Sequence, residues 1–522
     1  MAFELVREQV FLDQSVGSEQ TQIMLEGDII VPDSRPDMAV LLQTEEKIII
    51  DRTEVGADRV NFVGRLNISL LYISKGPEQQ ACAVNLTRQI DDFINVDGVT
   101  KDMWVNAKAE ITHIDYRMLN DRKVNYRAIV TVNINAERSD AHEMVVHIHD
   151  VPENQLLKNN ININRTIEHK QERFPVKDSL LLPSSKPNVR EILLVTANIT
   201  NRDIRINNGR VNLSGEILVT TLYRGDTDDS VIEFVESEIP FNGPIDVSGA
   251  KDDMLADVLL QVMDHHVVVR SDDDGEDRVL EIEVSVGVQM KVYSTEVLPI
   301  LEDAYVINQR LTLGKTLVRY PRLVCLNRNQ APIKEVVTLG GNAPSMLQVF
   351  RVKGNAYLDE VKVIEDKVVV EGAITTDILY VAESDSAPLG SFRTVMPFRQ
   401  VIEAKGARPN MRVNVDTSID HVAFSMLSGQ ETEVRFLLTF NTQVIEEEET
   451  RIIHNIEFAD LEPEALANMA SMTVYIVQHG DNLWKIAKKY NTAIDELLAV
   501  NDIEHPGKIV PDQKLLILKK GL

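Results

Sequence analysis

The chain has 522 residues, with 54 lysines and arginines against 81 aspartates and glutamates, a formal charge of −27. That balance argues against a broad electrostatic grip on nucleic acid or anionic lipid. Only Cys82 and Cys325 are present, without CxxC spacing, so neither a disulfide framework nor a thiolate zinc site is indicated, and the length predicts three or four domains at roughly 150 residues each.

The first sixteen residues, MAFELVREQVFLDQSV, lack the basic start and apolar run of a secretory signal, and no later stretch approaches membrane-spanning length. A cytoplasmic protein without signal peptide or membrane span is expected. The first motif, VPDSRPDMAVLL at Val31 to Leu42, lies on LPSSKPNVREIL at Leu182 to Leu193 after a shift of 151, and a further shift of 157 finds a third copy. Ser34, Pro36, Gly64 and Tyr72 thereby match Ser185, Pro187, Gly215 and Tyr223, and then Asn342, Pro344, Gly372 and Tyr380. Periods this long mean tandem domains.

In each copy Ser34, Ser185 or Asn342 is placed to cap a helix, the shared proline falls in its first turn, and apolar residues follow at helical spacing, such as Met38, Leu41 and Leu42. A short capped helix is predicted there. A hairpin follows, clearest at Asn208-Gly209, a dipeptide that readily supplies the two positive φ angles of a primed turn. Ala57-Asp58 and Glu365-Asp366 stand in the equivalent places. Gly64, Gly215 and Gly372 interrupt the outgoing strands, which points to a bulge or close backbone approach. Further runs alternate, as at Val124 to Ile134, so the units 1–150, 151–306 and 307–447 read as β domains.

The acidic segment Ser271 to Asp277 matches a calcium loop only in part, because Asp277 stands where its glycine is needed, and it reads as a hairpin tip. His147 and His149 share one strand face and read as a packed or solvated pair. Residues 448–472 read as a linker, loosely helical over EPEALANMA at Glu462 to Ala470, that would let the last module move. That module, 473–520, has the pattern βααβ: strand at Val474 to Val477, helices at Leu483 to Lys489 and Ala493 to Val500, and strand at Lys514 to Leu518. Its seven lysines against six acids change the local charge sign, which suggests a partner of its own.

Tyr475, Val477, Gly480, Asp481, Leu483, Ile486, Ala487, Tyr490, Leu497, Asn501, Ile509, Gln513, Leu515 and Ile517 stand in register with the LysM pattern, which the module resembles. One position departs: Asp512 stands where glycine is usual before Gln513. LysM modules generally bind N-acetylglucosamine-containing glycans such as peptidoglycan or chitin. The resemblance implies a groove with Gly480, Asp481, Asn482 and Leu483 on one side and Asn501, Asp502 and Ile503 on the other. Trp484 reads either as a ligand-stacking residue or as a packing residue.

Ile29 to Asp37, IIVPDSRPD, followed by a hairpin ending in LLY at Leu70 to Tyr72, resembles the SPOCS domain of spore-coat proteins. Tandem SPOCS-type repeats closed by LysM are similar to the SipL and SpoVID class of spore coat morphogenetic proteins. The resemblance implies a mother-cell cytoplasmic protein at the forespore surface or spore coat, recruited through the coat's basement-layer ATPase and in contact with other coat proteins. No phosphate-binding loop, nucleophile elbow or HExxH motif is present, and neither cofactor nor metal is expected. The fold expected is mainly β: three tandem β-sandwich-like repeat domains, each with a short helix, plus a small βααβ module. The function expected is a non-enzymatic scaffold for spore coat assembly. The alternative is a peptidoglycan-binding wall or cortex protein anchored by LysM, and a hydrolase delivered by LysM ranks last.

Overall fold

The computed structural model describes residues 4–76, 79–227, 231–307, 309–340, 343–384, 389–460, 471–503, 507 and 509–518. The first repeat contains β1 (Leu5–Ile30), β2 (Met38–Val55), β3 (Arg59–Ser74), β4 (Ala81–Asn95), β5 (Trp104–Asn120) and β6 (Lys123–Ile148). The second contains β7 (Leu156–Leu181), β8 (Val189–Asn207), β9 (Arg210–Gly225), β10 (Ile232–Asp246), β11 (Leu255–Ser271) and β12 (Asp277–Ala304). The third contains β13 (Gln309–Thr338), β14 (Met346–Ile364), β15 (Lys367–Ala382), β16 (Leu389–Glu403), β17 (Arg412–Met426) and β18 (Glu431–Asp460). Each repeat is a sandwich of two three-stranded antiparallel sheets, ordered β2-β3-β4 and β1-β6-β5 in the first, and its own apolar core lies between them.

The helix predicted after each shared proline is absent; β2, β8 and β14 begin there instead. The register of β2 slips between Met38 and Val40 and again between Leu41 and Gln43, and β8 and β14 slip at the matching places. Each bulge resets the alternation of faces. Two bulges three residues apart therefore give a strand the apolar spacing of a helix: Met38 and Leu41 pack into the repeat's own core, and Leu42 joins a second cluster shared between repeats. Ser34 and Ser185 accordingly cap nothing. They are exposed in tight turns closed by Arg35 N–H to Pro32 O and Lys186 N–H to Pro183 O, both 2.9 Å; Asn342 lies outside the described residues.

The hairpin turns also differ from expectation. Of each dipeptide only the second residue has positive φ: Asp58 at 53°, Gly209 at 79° and Asp366 at 57°. The reason is tertiary. That residue's N–H and C=O are claimed by the loop after the third strand, as in Gly209 N–H to Ala250 O and Val247 N–H to Gly209 O, both 2.9 Å. The acidic segment 271–277 is the β11–β12 tip, where the Asp272 carboxylate accepts the amides of Asp274 (3.0 Å) and Glu276 (2.9 Å).

The first and last strands of each repeat, paired as β1/β6, β7/β12 and β13/β18, run 26 to 30 residues each, far beyond the sandwich cores. Their inner halves meet in a shared apolar base that includes Val10, Leu12 and Met144 of the first repeat, Ile161, Ile163 and Ile300 of the second, and Val318, Tyr320 and Ile452 of the third. A second shared cluster, Leu71, Leu194, Leu222, Phe350 and Leu379 among its members, joins the small sheets. Each repeat touches both others, so the three close into a ring. The expected linker 448–472 is corrected here: β18 stays paired with β13 as far as Asp460 opposite Gln309. The helical reading of Glu462 to Ala470 falls on residues outside the described ones.

Ion pairs reinforce the closure. Lys353 of β14 reaches Glu46 of β2 at 3.0 Å, and Arg351 reaches Glu45 at 3.0 Å. Arg224 donates to Ala81 O at 2.6 Å, and Arg35 pairs with Glu191 of the second repeat. Arg202 and Arg328 both converge on the buried Asp420, each at 3.3 Å.

Candidate binding surface of the C-terminal module

The last unit forms β19 (Met472–Ile476), α1 (Leu483–Tyr490), α2 (Ile494–Val500) and β20 (Lys514–Leu518), with β19 and β20 paired antiparallel. Helix α1 starts where Asn482 leaves extended geometry and its side chain accepts the Lys485 amide at 2.8 Å. It stops at Asn491, whose φ of 54° and amide bonds back to the last turn make a left-handed cap. Leu483, Ile486 and Ala487 point inward on Val477, Leu497, Leu515 and Ile517. At Asp512, where the pattern wants glycine, the backbone does adopt φ 67°, and its amide still closes the turn onto Val477 O at 2.8 Å; aspartate tolerates that region better than most side chains.

The groove residues expected from the sequence divide by what their side chains already do. Gly480 (φ 85°) is exposed at the turn before α1. Asp481 accepts the Tyr475 hydroxyl at 2.6 Å and the Gln478 amide at 2.9 Å, bonds that hold its carboxyl below the usual range. Asn482 is the helix cap, and Leu483 is buried core. Asn501 is fully engaged, donating to Leu497 O and Leu516 O and accepting the Leu516 amide at 2.6 Å, so it ties the end of α2 to β20. Asp502, at φ 53°, is exposed, and Ile503 is half-buried beside it. What these loops leave open to solvent is therefore backbone plus Gly480, Asp502 and part of Ile503, with the two asparagines holding the loops in shape.

Trp484 faces the ring. Its indole meets Tyr305, on the connection between the second and third repeats, edge to face at 5.1 Å, and its N–H donates to Asp303 at 3.3 Å. Lys488, one turn on, reaches Asp303 at 2.6 Å. The Tyr305 hydroxyl donates to Thr492 O at 3.1 Å, and Asn154, between the first and second repeats, donates to Asp495 at 2.6 Å. Against the motion expected of a tethered unit, the module is docked on the connections between repeats. Trp484→Ala is expected to loosen this docking, with faster amide hydrogen exchange in α1 and a largely unchanged ring melt as the readout.

The repeat signature serves the ring. The Tyr72 hydroxyl donates to Pro36 O at 3.0 Å and that of Tyr223 to Pro187 O at 3.2 Å, so proline and tyrosine, 36 residues apart, form one contact. Tyr380 is buried against Phe392. Burial, then the nearby Glu233, pushes the Tyr223 hydroxyl up to about 12, so it remains a donor at neutral pH. Tyr223→Phe is expected to lower stability by about 1–2 kcal/mol in a urea titration, the cost of an unpaired buried carbonyl. Gly64, Gly215 and Gly372 face the points where the neighbouring strands bulge.

Sequence reasoning missed the partner of the proline loop. Arg122 holds the Asp37 carboxylate at 2.6 Å and Pro32 O at 2.8 Å, while Arg278 repeats this with Asn188 at 2.8 Å and Pro183 O at 2.7 Å. In the third repeat Gln430 takes that place and donates to Ser345 at 3.3 Å. The fixed shift of 151 hid this equivalence, because Arg122 and Arg278 are 156 residues apart, the acidic tip before Arg278 displacing the register. The loss of the arginine in the third copy coincides with loss of its first proline to Gly340. His147 and His149 pack edge to face at 5.5 Å. Among the described residues no group of three or more His, Cys, Asp or Glu side chains is arranged to hold a metal, and no helix is long and apolar enough to cross a membrane.

The model of the SipL, SPOCS domain matches residues 37–119, 188–269 and 345–427, and that of the LysM domain matches 475–518. Over 52 residues the chain is 38% identical to SpoIVD-associated factor A of Bacillus subtilis (strain 168), a match covering 10% of this chain and 13% of that protein. It is 42% identical over 52 residues to Spore coat assembly protein ExsA of Bacillus cereus, covering 10% of this chain and 8% of that protein. The match thus spans only about a tenth of these relatives' length. No solved structure matches. The chain therefore carries three tandem SPOCS domains, here closed into one ring, followed by a C-terminal LysM domain.

Proposed function

We propose that this chain is a non-enzymatic scaffold of spore coat or envelope assembly, in which the ring offers protein-binding surface and the docked LysM module engages a second component. The observation that carries the reading is the combination of three SPOCS domains with LysM; among relatives sharing sequence with the chain, one is named Spore coat assembly protein ExsA and another SpoIVD-associated factor A. The signature residues support it by what they do: they are spent on folding and on joining repeats. The place of action is the mother-cell cytoplasm at the forespore surface, and the recruiting partner is the coat's basement-layer ATPase. A fluorescent fusion followed through sporulation is expected to ring the forespore and to scatter in cells lacking that ATPase. Localisation elsewhere would overturn the scaffold, and turnover of muropeptides by the purified chain would overturn its non-enzymatic character.

One observation favours glycan as the LysM ligand: the loop at Gly480 stays exposed while the opposite side of α1 is docked on the ring. N-acetylglucosamine-containing glycan such as peptidoglycan would be met by backbone amides around Gly480 to Asn482 and by apolar contact with Ile503. Pull-down of the full chain on purified peptidoglycan, compared with Ile503→Asp, tests this. Retention of neither protein argues for a protein ligand instead, and equal retention of both would remove Ile503 from the glycan contact.

A further inference from the structure

Among the described residues, each small sheet ends on a strand with no hydrogen-bonded strand along its outer side, β4, β10 or β16. Long open edges invite another chain to pair, and proteins blunt them with proline and like charge. In β10, Pro240 stands opposite Glu216, and in β16, Pro397 stands opposite Ala373, the same position one unit later. β10 carries Pro244 as well, and the other charges on its edge, Glu236, Glu238 and Asp246, are all acidic. The position equivalent to Pro240 in β4 is Gln89, opposite Arg65. Because proline has no N–H to give the sheet, this position is one whose amide faces away from it. With period two, the amides of Asn85, Thr87, Gln89 and Asp91 form an outward row without a proline, and all four side chains are exposed. The row ends at Phe93, whose amide is taken by the Asp92 carboxylate at 2.8 Å.

We propose that the edge of β4 from Thr87 to Phe93, centred on Ile90, is a pairing surface for a second copy of this chain, joined strand to strand across a two-fold axis. Charge selects this occupant. Two antiparallel copies of β4 aligned on Ile90 set Arg88 of each opposite Asp92 of the other, so one surface satisfies itself twice, as a two-fold interface requires. The corresponding stretch of β10 would set acid against acid, and its prolines would break the ladder. The inference stands apart from the assigned function, since it rests on comparison of three strands within the ring.

Sedimentation of the full chain over a concentration series tests it. The wild type is expected to dimerise. Gln89→Pro, a residue the other two repeats already carry at this position, is expected to keep the ring's melt while raising the dissociation constant about tenfold or more. Arg88→Asp and Asp92→Arg should each weaken the dimer, and the double exchange should restore it. Hydrogen exchange at residues 87–91 should slow with concentration in the wild type alone. A chain that stays monomeric, a dimer indifferent to Gln89→Pro, or a double exchange that fails to recover would each overturn the proposal. So would a monomeric chain whose β4 captures a strand of some other protein.

Discussion

Replacing Lys353 with methionine is expected to cost about 3–5 kcal/mol, because it leaves carboxylates stranded in the joint between the first and third repeats. The Lys353 side chain is 8% exposed and that of Glu46 is 10% exposed. Its ammonium also donates to Thr44 O at 2.9 Å, and Tyr116 donates to Glu46 at 2.9 Å. Burial pulls the Lys353 ammonium down, yet Glu45 and Glu46 outweigh it and hold the group above its ordinary value. Burial likewise raises Glu45, and the facing Arg351 and Lys353 bring it below its ordinary 4.5. A folded pKa below the unfolded one contributes stability that is present above pH 4.5 and lost as pH falls through the lower folded value. Urea titrations of Lys353→Met at neutral pH check the first effect. Exchanging Lys353 and Glu46 together for methionine and leucine should recover most of the loss, since a filled apolar joint is often as stable as a buried pair; a double variant as weak as the single one would refute this account.

Gly372→Ala is expected to cost about 3 kcal/mol, near the top of the range for forcing extra volume into a packed site. A Cβ there overlaps the Tyr357 carbonyl oxygen outright and meets the Phe398 ring at 2.9 Å. The obstacle is backbone, held by the β14–β15 ladder, so no rotamer relieves it. The same substitution should grade across the repeats. At Gly64 the nearest atom is the Ile49 carbonyl oxygen at 2.5 Å, while at Gly215 it is the Phe241 ring at 2.9 Å with the Thr200 carbonyl oxygen at 3.0 Å. The expected order of loss is Gly372, then Gly64, then Gly215. Thermal melts of the three single variants give this order directly, and equal losses would show that the glycines are kept for backbone freedom rather than for clearance.

The β character and the threefold repetition were legible because alternation and long-period matches are written residue by residue. The small βααβ module was legible for the same reason, with Asn482 as cap and Leu483 and Ile486 as core. The proline-adjacent helix was misread because bulges at Met38/Val40 and Leu41/Gln43 imitate helical spacing, and a single sequence does not distinguish a reset strand from a turn of helix. The turn at Asn208-Gly209 was misread because a distant loop, not the dipeptide, decides its φ angles. Closure of the ring was invisible: Lys353 and Glu46 are 307 residues apart, and neither is unusual where it stands. On the binding surface, the pattern named Asn501 without revealing that its amide is consumed in joining α2 to β20. Trp484 carried two readings in sequence, and Tyr305 decides in favour of packing.

The long paired strands impose an order of events on the growing chain. The strand that completes the shared base, β18, ends at Asp460, so the ring closes only once residue 460 has been made. At roughly 5–20 residues per second, the first repeat waits on the order of tens of seconds with its half of each joint open to the cytosol. Throughout that interval Glu46 faces water where Lys353 will later stand. Charged pairs such as Lys353–Glu46 keep part of that nascent surface soluble, while the first repeat's share of the apolar clusters, Val10, Leu12, Met144 and Leu71, stays uncovered until its partners arrive. The LysM module, synthesised after the repeats, then docks on the connections between them.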